Sequence, residues 1–185
     1  MILDMLQKIS IKNNMSNKHL FYPTYIENTI YDIDFQKYYY KGYRLLIFDI
    51  DNTLVLHDAD ANINIKNLID KLKNIGFKLS LLSNNNKNRV EKFANDILID
   101  TYIYNADKPN KKNYINTLSK FNNINNSNAL YIGDQLLTDI YGANQSNIDS
   151  ILVKPIGPEK YIHIKFKRII EKIIMFYYKY IIKTC

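Results

Sequence analysis

Two carboxylates one residue apart, Asp49 and Asp51, follow an apolar run over residues 43–48. Such a run predicts a buried strand that brings both acids to its carboxyl end. Side chains two residues apart leave a strand on the same side, so these carboxylates would lie close together and repel each other. A cation would relieve that repulsion, and like charges can also raise the pKa of one acid, which suits a nucleophile beside a proton donor. An Asx turn through Asp51, Asn52 and Thr53 is the alternative that this stretch leaves open by itself.

Three further groups of polar side chains follow along the chain, each separated from the last by about one βα unit of ~30 residues. Two of these groups follow apolar runs that predict strands. The third is a lysine before a proline at which a helix can begin. In order they are Ser83 with Asn84, Lys108 with Pro109, and Gly133-Asp134 with Asp139. Taken singly, Ser83 could be a helix N-cap and Lys108 a solvated surface lysine.

The four groups together resemble the haloacid dehalogenase (HAD) superfamily. Its motifs are Asp-x-Asp-x-Thr, a Ser or Thr, a Lys, and Gly-Asp-x-x-x-x-Asp, and all four are present here in order. Longer stretches, including Phe-Asp-Ile-Asp-Asn-Thr-Leu-Val and Gly-Asp-Gln-Leu-Leu-Thr-Asp, are similar to the YqeG-type branch of HAD subfamily IIIA. The relatives of that branch include phosphatidylglycerophosphate phosphatases. Open α/β sheets bind ligands at strand carboxyl ends, which agrees with this resemblance.

The resemblance implies an Mg²⁺-dependent phosphatase that forms an aspartyl phosphate. Asp49 would be the nucleophile, and Asp51 would protonate the leaving group and then deprotonate the attacking water. Ser83 and Lys108 would be catalytic groups at the phosphoryl oxygens, and Thr53 and Asn84 would contact the substrate. The metal site would consist of Asp49, the backbone carbonyl of Asp51, Asp134 and Asp139. The resemblance assigns no role to His57, Asp58 and Asp60, which we expect on the surface of a flap over residues 55–63.

The hydrophobic pattern after residue 43 alternates between strands and helices. It predicts strands over 43–49, 77–82, 100–104, 128–132 and 150–153, and helices over 64–75, 87–97, 110–121 and 136–146. This alternation predicts a parallel sheet covered on both faces, and the resemblance makes it a HAD-like Rossmannoid three-layer α/β sandwich. The gaps between motifs leave no room for a cap domain. We expect an N-terminal arm over 1–42, a phosphatase core over 43–158 and a C-terminal basic amphipathic helix over 159–185.

The C-terminal segment has two interpretations. Phe166, Ile169, Ile170, Ile173, Tyr177, Tyr180 and Ile181 recur at three- and four-residue steps, with Lys165, Arg168, Lys172 and Lys179 on the other side. The helix could pack on the sheet or on another subunit with its charges in water. It could instead lie on an anionic membrane surface.

The composition limits the class of protein. A chain of 185 residues with 46% hydrophobic content can bury one substantial core. The only cysteine is Cys185, so no disulfide partner is available within the chain, and we see no signal peptide or membrane span. We therefore expect a cytoplasmic protein, peripheral at the inner face of the membrane if the helix binds lipid. The net charge of +7 favours anionic partners, but scattered basic residues without a recognisable module argue against nucleic acid.

Three functions remain open at this point. The preferred one is removal of the terminal phosphate of phosphatidylglycerophosphate, a phosphorylated lipid. The second is hydrolysis of a soluble sugar or nucleotide phosphate; some relatives of that kind carry a zinc loop whose cysteines this chain lacks. The third is a non-catalytic binding protein with the same fold, against which the presence of Asp51 and Asp134 argues.

Overall fold

The computed structural model describes residues 20–99, 101–159 and 161–178. It contains a six-stranded sheet with helices on both faces, which confirms the predicted α/β fold. The strands are β1 (Tyr25–Glu27), β2 (Leu45–Phe48), β3 (Lys78–Leu82), β4 (Tyr102–Ile103), β5 (Ala129–Gly133) and β6 (Asp149–Val153). The helices are α1 (Phe35–Tyr40), α2 (Ile63–Ile75), α3 (Lys87–Asp96), α4 (Lys111–Ser119), α5 (Tyr141–Gln145) and α6 (Ile162–Tyr177), with a π-helical turn over Leu136–Ile140.

The strand order is β1-β6-β5-β2-β3-β4, and every pairing is parallel. Leu46 of β2 is opposite Leu79 of β3 and Leu130 of β5, so these three strands run in step. Their carboxyl ends consequently meet at one edge of the sheet. The polar groups predicted after β2, β3 and β5 are thereby collected in one place.

The central strand β2 divides its side chains between two cores. Leu46 and Phe48 belong to the core under α2 and α3, whereas Leu45 and Ile47 belong to the core under α4 and α5. All four side chains are fully buried, as expected for the middle of a parallel sheet that is covered on both faces. The four residues therefore fix the strand that ends at Asp49 between two packed cores.

Asparagine side chains define where three of the helices begin. Those of Asn62, Asn86 and Asn110 accept hydrogen bonds from the backbone N–H groups of Ile65, Arg89 and Lys112. An N-cap of this kind satisfies a donor that the helix cannot pair itself. The caps start α2 and α3 close to the predicted residues. They also show that Pro109 precedes α4 rather than opening it.

The N-terminal part of the chain differs from the sequence prediction. Strand β1 and helix α1 lie inside the predicted arm, and β1 pairs with β6 to form one edge of the sheet. The sequence missed β1 because three residues are too few to show a strand periodicity. Residues 1–19 of the predicted arm lie outside the described residues. The division of the chain at residues 42 and 158 stays a prediction.

Helix α6 packs against the π-helical turn. Ile174 is buried against Leu136 and Ile140, and partly buried Ile170, Met175 and Tyr178 extend this contact. Ile162, Phe166, Ile169 and Ile173 are instead exposed. The apolar residues predicted as one face are therefore divided between two faces, and Lys179, Tyr180 and Ile181 lie outside the described residues. Among the described helices, none is both long and apolar enough to cross a bilayer.

Candidate active site

The candidate site begins with the buried ammonium group of Lys108. Its Nζ lies 2.7 Å from Asp49 Oδ1, 2.7 Å from Asp139 Oδ1 and 3.1 Å from the hydroxyl of Tyr131. The side chains of Lys108, Asp49 and Asp139 are 4%, 8% and 0% exposed. Two carboxylates so deep in the molecule require a cation beside them, because an unpaired buried charge is costly. Lys108 is that cation.

The protonation states follow from burial and charge. Burial raises the pKa of Asp49 to about 7, with Asp139 and Asp51 adding to the rise and Lys108 opposing it. Burial lowers the pKa of Lys108, but Asp139 and Asp49 outweigh it and raise the pKa above the usual value of lysine. Burial also raises the pKa of Asp134 well above its ordinary value. Lys108 is thus charged at neutral pH, and its one positive charge is shared by Asp49 and Asp139.

The π-helical turn aims Asp139 into the site. The backbone N–H groups of Asp139 and Ile140 both donate to the carbonyl of Gln135, and the N–H of Gln135 donates to Asp139 Oδ2 at 2.9 Å. Asp139 consequently points back toward the end of β5, with its other carboxylate oxygen at Lys108. Gly133 allows this approach, because a Cβ atom at position 133 would lie 2.6 Å from Asp139 Cγ. The sequence predicted a helix over 136–146 and did not foresee the π-helical turn.

Asp134 is held from two sides. Thr53 Oγ1 donates to its Oδ1 at 3.1 Å, and the guanidinium of Arg168 in α6 contacts its Oδ2 and its backbone carbonyl. The hydroxyl of Thr53, a predicted substrate contact, is thus engaged by Asp134, and its contact with substrate stays a prediction. The sequence predicts Arg168 on the basic side of the C-terminal helix, together with the lysines. In the structure its side chain points inward instead, because Asp134, Glu159 and Glu171 supply charged partners that hydrophobic periodicity cannot reveal.

Asp51 lies at the wall of the site in a separate set of contacts. Its Oδ2 accepts from Asn85 Nδ2 at 2.5 Å, and its Oδ1 accepts from Arg89 Nη2 at 3.1 Å. Nδ1 of His57 lies 3.4 Å from Asp51 Oδ2, so this flap residue reaches the site. Asp58 and Asp60 have exposed side chains, as expected for the flap. The flap itself is short, since residues 49–62 join β2 directly to α2.

Ser83 and Asn84 lie at the end of β3. Ser83 is buried, and its Oγ accepts a hydrogen bond from the backbone N–H of Asn85 at 3.2 Å. The side-chain oxygen of Asn84 accepts from the backbone N–H of Lys108 at 2.7 Å, so Asn84 fixes the loop that carries the ammonium. The Lys108–Pro109 peptide bond in that loop is cis. Asn84 also lines the cavity, and its predicted contact with substrate remains open.

A cavity of about 230 Å³ joins these groups to the surface. Its floor carries Asp49, Ser83 and Lys108, and Asp51 forms part of its wall. Tyr161, Ile164 and Lys167 line it from the beginning of α6. The structure therefore brings the predicted catalytic residues together around one cavity with the volume to hold a phosphoryl group.

The carboxylates of Asp49, Asp134 and Asp139 could hold a metal ion. One oxygen from each lies within 4.8 Å of the others, and all three residues are buried. Carboxylate oxygens are the ligands that Mg²⁺ prefers, and the raised pKa values of Asp49 and Asp134 mark a place where a divalent cation would relieve repulsion. The carboxylate of Asp51 belongs to a different cluster with His57 and Asp58. The three carboxylates of Asp49, Asp134 and Asp139 thus fit a hard divalent ion.

Several residues of the site were not predicted from the sequence. They support the predicted residues rather than lie at motif positions, and they are His57, Asn85, Arg89, Tyr131, Glu159 and Arg168. Asn85 and Arg89 follow Ser83 in the same stretch, which is a weak signal in the sequence. The position of Arg168, 34 residues after Asp134, gives no such signal.

Comparison with known proteins places the chain in a family. A model of the family described as "Haloacid dehalogenase-like hydrolase" matches residues 55–153. A Bacillus subtilis protein described as "Probable phosphatase YqeG" is 32% identical over 159 residues, which cover 85% of this chain and 91% of that protein. The chain belongs to the haloacid dehalogenase-like hydrolases. This confirms the resemblance, and together with the buried site it supports a phosphatase enzyme.

Several solved structures share the fold. An uncharacterized protein from Listeria monocytogenes serotype 4b superimposes with a TM-score of 0.51 at 20% identity, over 64% of this chain and 84% of that one. The magnesium-bound structure of YfnB from Bacillus subtilis, described as a HAD-hydrolase, gives a TM-score of 0.50 at 15% identity, over 65% and 91%. At these identities the similarity extends to the fold alone.

Proposed function

We propose that this HAD-family phosphatase is an Mg²⁺-dependent phosphomonoester hydrolase that works through an aspartyl phosphate on Asp49. The observation that supports this proposal most directly is the ammonium of Lys108, 2.7 Å from both Asp49 and Asp139 at the floor of the cavity. An acid beside a fixed cation, at the end of a buried strand, is suited to attack on a phosphoryl group whose charge the cation offsets.

In the first step, a carboxylate oxygen of Asp49 forms a bond to phosphorus while the bond from phosphorus to the ester oxygen breaks. Asp51 gives its proton to the departing oxygen. Lys108 holds one oxygen of Asp49 and attracts the phosphoryl oxygens, and Ser83 donates its hydroxyl proton to one of them. Mg²⁺ held by Asp49, Asp134 and Asp139 would neutralise charge on the phosphoryl oxygens.

In the second step, water attacks phosphorus on the aspartyl phosphate. Asp51, now ionised, accepts a proton from this water, and the bond from phosphorus to Asp49 breaks to release inorganic phosphate. Arg89 and Asn85 hold Asp51 at the cavity wall throughout both steps. Both acids return to their starting protonation states, so the cycle is complete.

We assign phosphatidylglycerophosphate as the substrate. The short flap leaves the cavity open. The headgroup of a lipid can therefore enter it while the acyl chains of that lipid stay in the membrane. Lys167 lines the same cavity and offers a cation to a second anionic group of the substrate, such as a phosphodiester. The resemblance to the YqeG-type branch, with its phosphatidylglycerophosphate phosphatases, agrees with this choice.

The exposed side of α6 supports contact with a lipid surface. Ile162, Phe166, Ile169 and Ile173 are 70%, 63%, 55% and 56% exposed at spacings of four, three and four residues. At 100° per residue these side chains form one stripe, and exposed Lys165 and Lys172 lie along one flank of it. An apolar stripe with cations beside it is complementary to an anionic bilayer surface.

The substrate is tested by phosphate release from phosphatidylglycerophosphate in mixed micelles, beside para-nitrophenyl phosphate and a panel of sugar and nucleotide phosphates. We expect Mg²⁺-dependent release from the lipid with the highest kcat/KM. A sugar or nucleotide phosphate that is hydrolysed far better than the lipid would replace the lipid assignment. Release from no phosphomonoester, in correctly folded protein, would favour the non-catalytic alternative.

The membrane contact is tested separately with the double variant Phe166→Gln and Ile173→Gln. We expect weaker sedimentation with vesicles that contain phosphatidylglycerol and slower hydrolysis of the lipid substrate, with turnover of para-nitrophenyl phosphate retained. Ile115→Gln, at an exposed position on α4, is the matched control. Unchanged vesicle binding by the double variant would refute the membrane role, and an altered oligomeric state would indicate a second copy as the partner of the stripe.

A soluble phosphomonoester is the second candidate substrate. The cavity is lined by several polar side chains, among them Asn84, Asn85 and Gln135, which could bind hydroxyl groups of a sugar. The substrate panel above separates this candidate from the lipid.

A further inference from the structure

The guanidinium of Arg168 connects the C-terminal helix to a carboxylate of the candidate metal site. Its Nη2 contacts Asp134 Oδ2, and its Nη1 donates to the backbone carbonyl of Asp134 at 2.6 Å. The carboxylate is therefore held together with its own main chain. A planar guanidinium that binds two acceptors of one residue restricts both the position and the rotamer of that residue.

Two further carboxylates fix Arg168 itself. Its Nε donates to Glu159 Oε1 at 2.6 Å, and its Nη1 donates to Glu171 Oε2 at 2.9 Å. The side chains of Glu159 and Glu171 are 10% and 8% exposed, and that of Arg168 is 16% exposed. Because these two acids share the guanidinium, its positive charge is not directed at Asp134 alone. Arg168 can hold the carboxylate without opposing a cation as strongly as an isolated arginine would.

Glu171 extends the connection to the second carboxylate of the candidate site. Its Oε1 accepts a hydrogen bond from the backbone N–H of Leu137 at 3.0 Å, inside the π-helical turn that carries Asp139. Ile174 packs on the same turn through Leu136 and Ile140. One helix thus contacts both segments from which Asp134 and Asp139 project.

From these contacts we infer that Arg168 is a positioning residue for the metal site: it holds Asp134 in the orientation that binds Mg²⁺ and so makes the metal affinity depend on how α6 is seated. This inference rests on the proposed metal-dependent function. A lipid surface that presses on the exposed stripe of α6 would act on the catalytic centre through this arginine. The same helix would then bind the membrane and set the metal site.

The test is Mg²⁺ binding to the full chain, measured by isothermal titration calorimetry on the unaltered protein and on Arg168→Met and Arg168→Lys. Residues that hold a metal ligand in place typically account for a factor of about 10 to 100 in affinity, so we expect about tenfold weaker binding by Arg168→Met. Arg168→Lys should recover part of this loss, because it restores the charge but not the paired contact. Lys66→Met, at an exposed cation of α2 that has no role in the proposed site, should bind Mg²⁺ as the unaltered chain does.

Thermal unfolding without metal accompanies each titration. If Arg168→Met does not fold, Glu159→Gln provides the test, because it loosens the guanidinium while Asp134 keeps its partner; we expect weaker Mg²⁺ binding there too. Unchanged Mg²⁺ affinity in a folded Arg168→Met chain, even with a lower melting temperature, would reduce Arg168 to a structural role and overturn the inference alone. Tighter binding would also overturn it and would identify Arg168 as a competitor of the metal. Absence of Mg²⁺ binding by the unaltered chain would overturn the proposed function and this inference together.

Discussion

At the scale of single residues, the balance of charge at the floor of the cavity explains the proposed chemistry. Asp49, Asp134 and Asp139 are buried within reach of one another, and Lys108 pairs with two of them. Burial raises the pKa values of Asp49 and Asp134, Lys108 and Arg168 oppose this rise, and the neighbouring carboxylates add to it. The proposed nucleophile and the proposed metal ligands thus belong to one buried cluster of carboxylates.

Replacement of Asp49 by Asn should abolish turnover and leave the fold intact, because the two side chains have nearly the same volume. Loss of a nucleophile usually costs several orders of magnitude in kcat, and we expect less than ~1% residual activity. Asp60→Asn, at an exposed carboxylate of the flap, is the control and should retain activity. Substantial turnover by a folded Asp49→Asn chain would exclude the aspartyl phosphate on this residue.

The stability of the metal-free chain should depend on the protonation of Asp49. Its folded-state pKa of about 7 lies above the ordinary value of 3.8, so the folded chain binds this proton more tightly than the unfolded chain. The resulting stabilisation is complete below the unfolded pKa and is lost as the pH rises through about 7, at a slope of up to about 1.4 kcal/mol per pH unit.

Urea unfolding of chelator-treated protein between about pH 5 and about pH 8 measures this effect, with Asp49→Asn as the reference that lacks the titrating group. We expect the free energy of unfolding of the unaltered chain to fall relative to that of Asp49→Asn as the pH rises. A difference between the two chains that is constant with pH, or that grows in favour of the unaltered chain, would contradict the raised pKa.

At the scale of elements, two short segments bring carboxylates to the sheet edge: the end of β5 and the π-helical turn after it. The turn adds one residue to each hydrogen-bonded ring, and such insertions are frequent at functional sites. It packs so closely on β5 that position 133 has no room for a side chain.

Gly133→Ala should therefore displace Asp139 and strongly reduce activity. Its methyl group would lie 2.6 Å from Asp139 Cβ, Cγ and Oδ2, and one of the two segments must move. We expect a loss of at least about tenfold in kcat/KM with a folded chain, on the precedent of residues that orient metal ligands. Circular dichroism checks the fold, and activity equal to that of the unaltered chain would show that Asp139 is not needed where it lies.

Removal of α6 should impair hydrolysis of every substrate. A chain truncated after residue 161 loses Arg168 and Glu171, which contact Asp134 and the π-helical turn. We expect turnover of para-nitrophenyl phosphate to fall as well as that of the lipid, in contrast to the selective effect expected for Phe166→Gln with Ile173→Gln. If the folded truncated chain hydrolyses para-nitrophenyl phosphate normally, the helix contributes only to the lipid surface.

The sequence predicted the elements that carry the motifs much better than those that support them. Strands β2, β3 and β5 are apolar runs that end in polar residues. This pattern predicts each strand and also predicts that Asp49, Ser83 and Asp134 lie at the carboxyl ends. Their spatial order is set by crossovers that local periodicity does not encode. Arg168 shows the same limit, since its partners come from β5, from the loop before α6 and from the next turn of the helix. No local pattern joins these segments.

At the scale of the whole molecule, the parallel sheet acts as a frame that keeps like charges together. Three neighbouring strands end at one edge, and the cores on both faces prevent these ends from separating. The packing of both cores therefore offsets the repulsion between these carboxylates. A metal that binds there should stabilise the entire chain.

Addition of Mg²⁺ in large excess over its dissociation constant should raise the melting temperature, because an ion that binds only the folded chain adds RT ln(1 + [Mg²⁺]/Kd) to its stability, about 2.7 kcal/mol at a hundredfold excess. A chelator should reverse the shift and abolish turnover. Ca²⁺ should not restore turnover, since it prefers more ligands and a looser geometry. Full activity in chelator-treated protein would rule out the metal site.

The pairing of β1 with β6 has a consequence for the order in which a newly made chain matures. Thr24 beside β1 and Asp149 at the start of β6 are joined by a hydrogen bond across 125 positions, so β1 cannot pair until β6 has been synthesised. Asp134 emerges before Arg168, and the segment that binds Leu137 emerges later still. In a nascent chain Asp49 is consequently present long before α6 can complete the candidate metal site. Under the proposed mechanism, hydrolytic competence would therefore be acquired only after α6 has been synthesised.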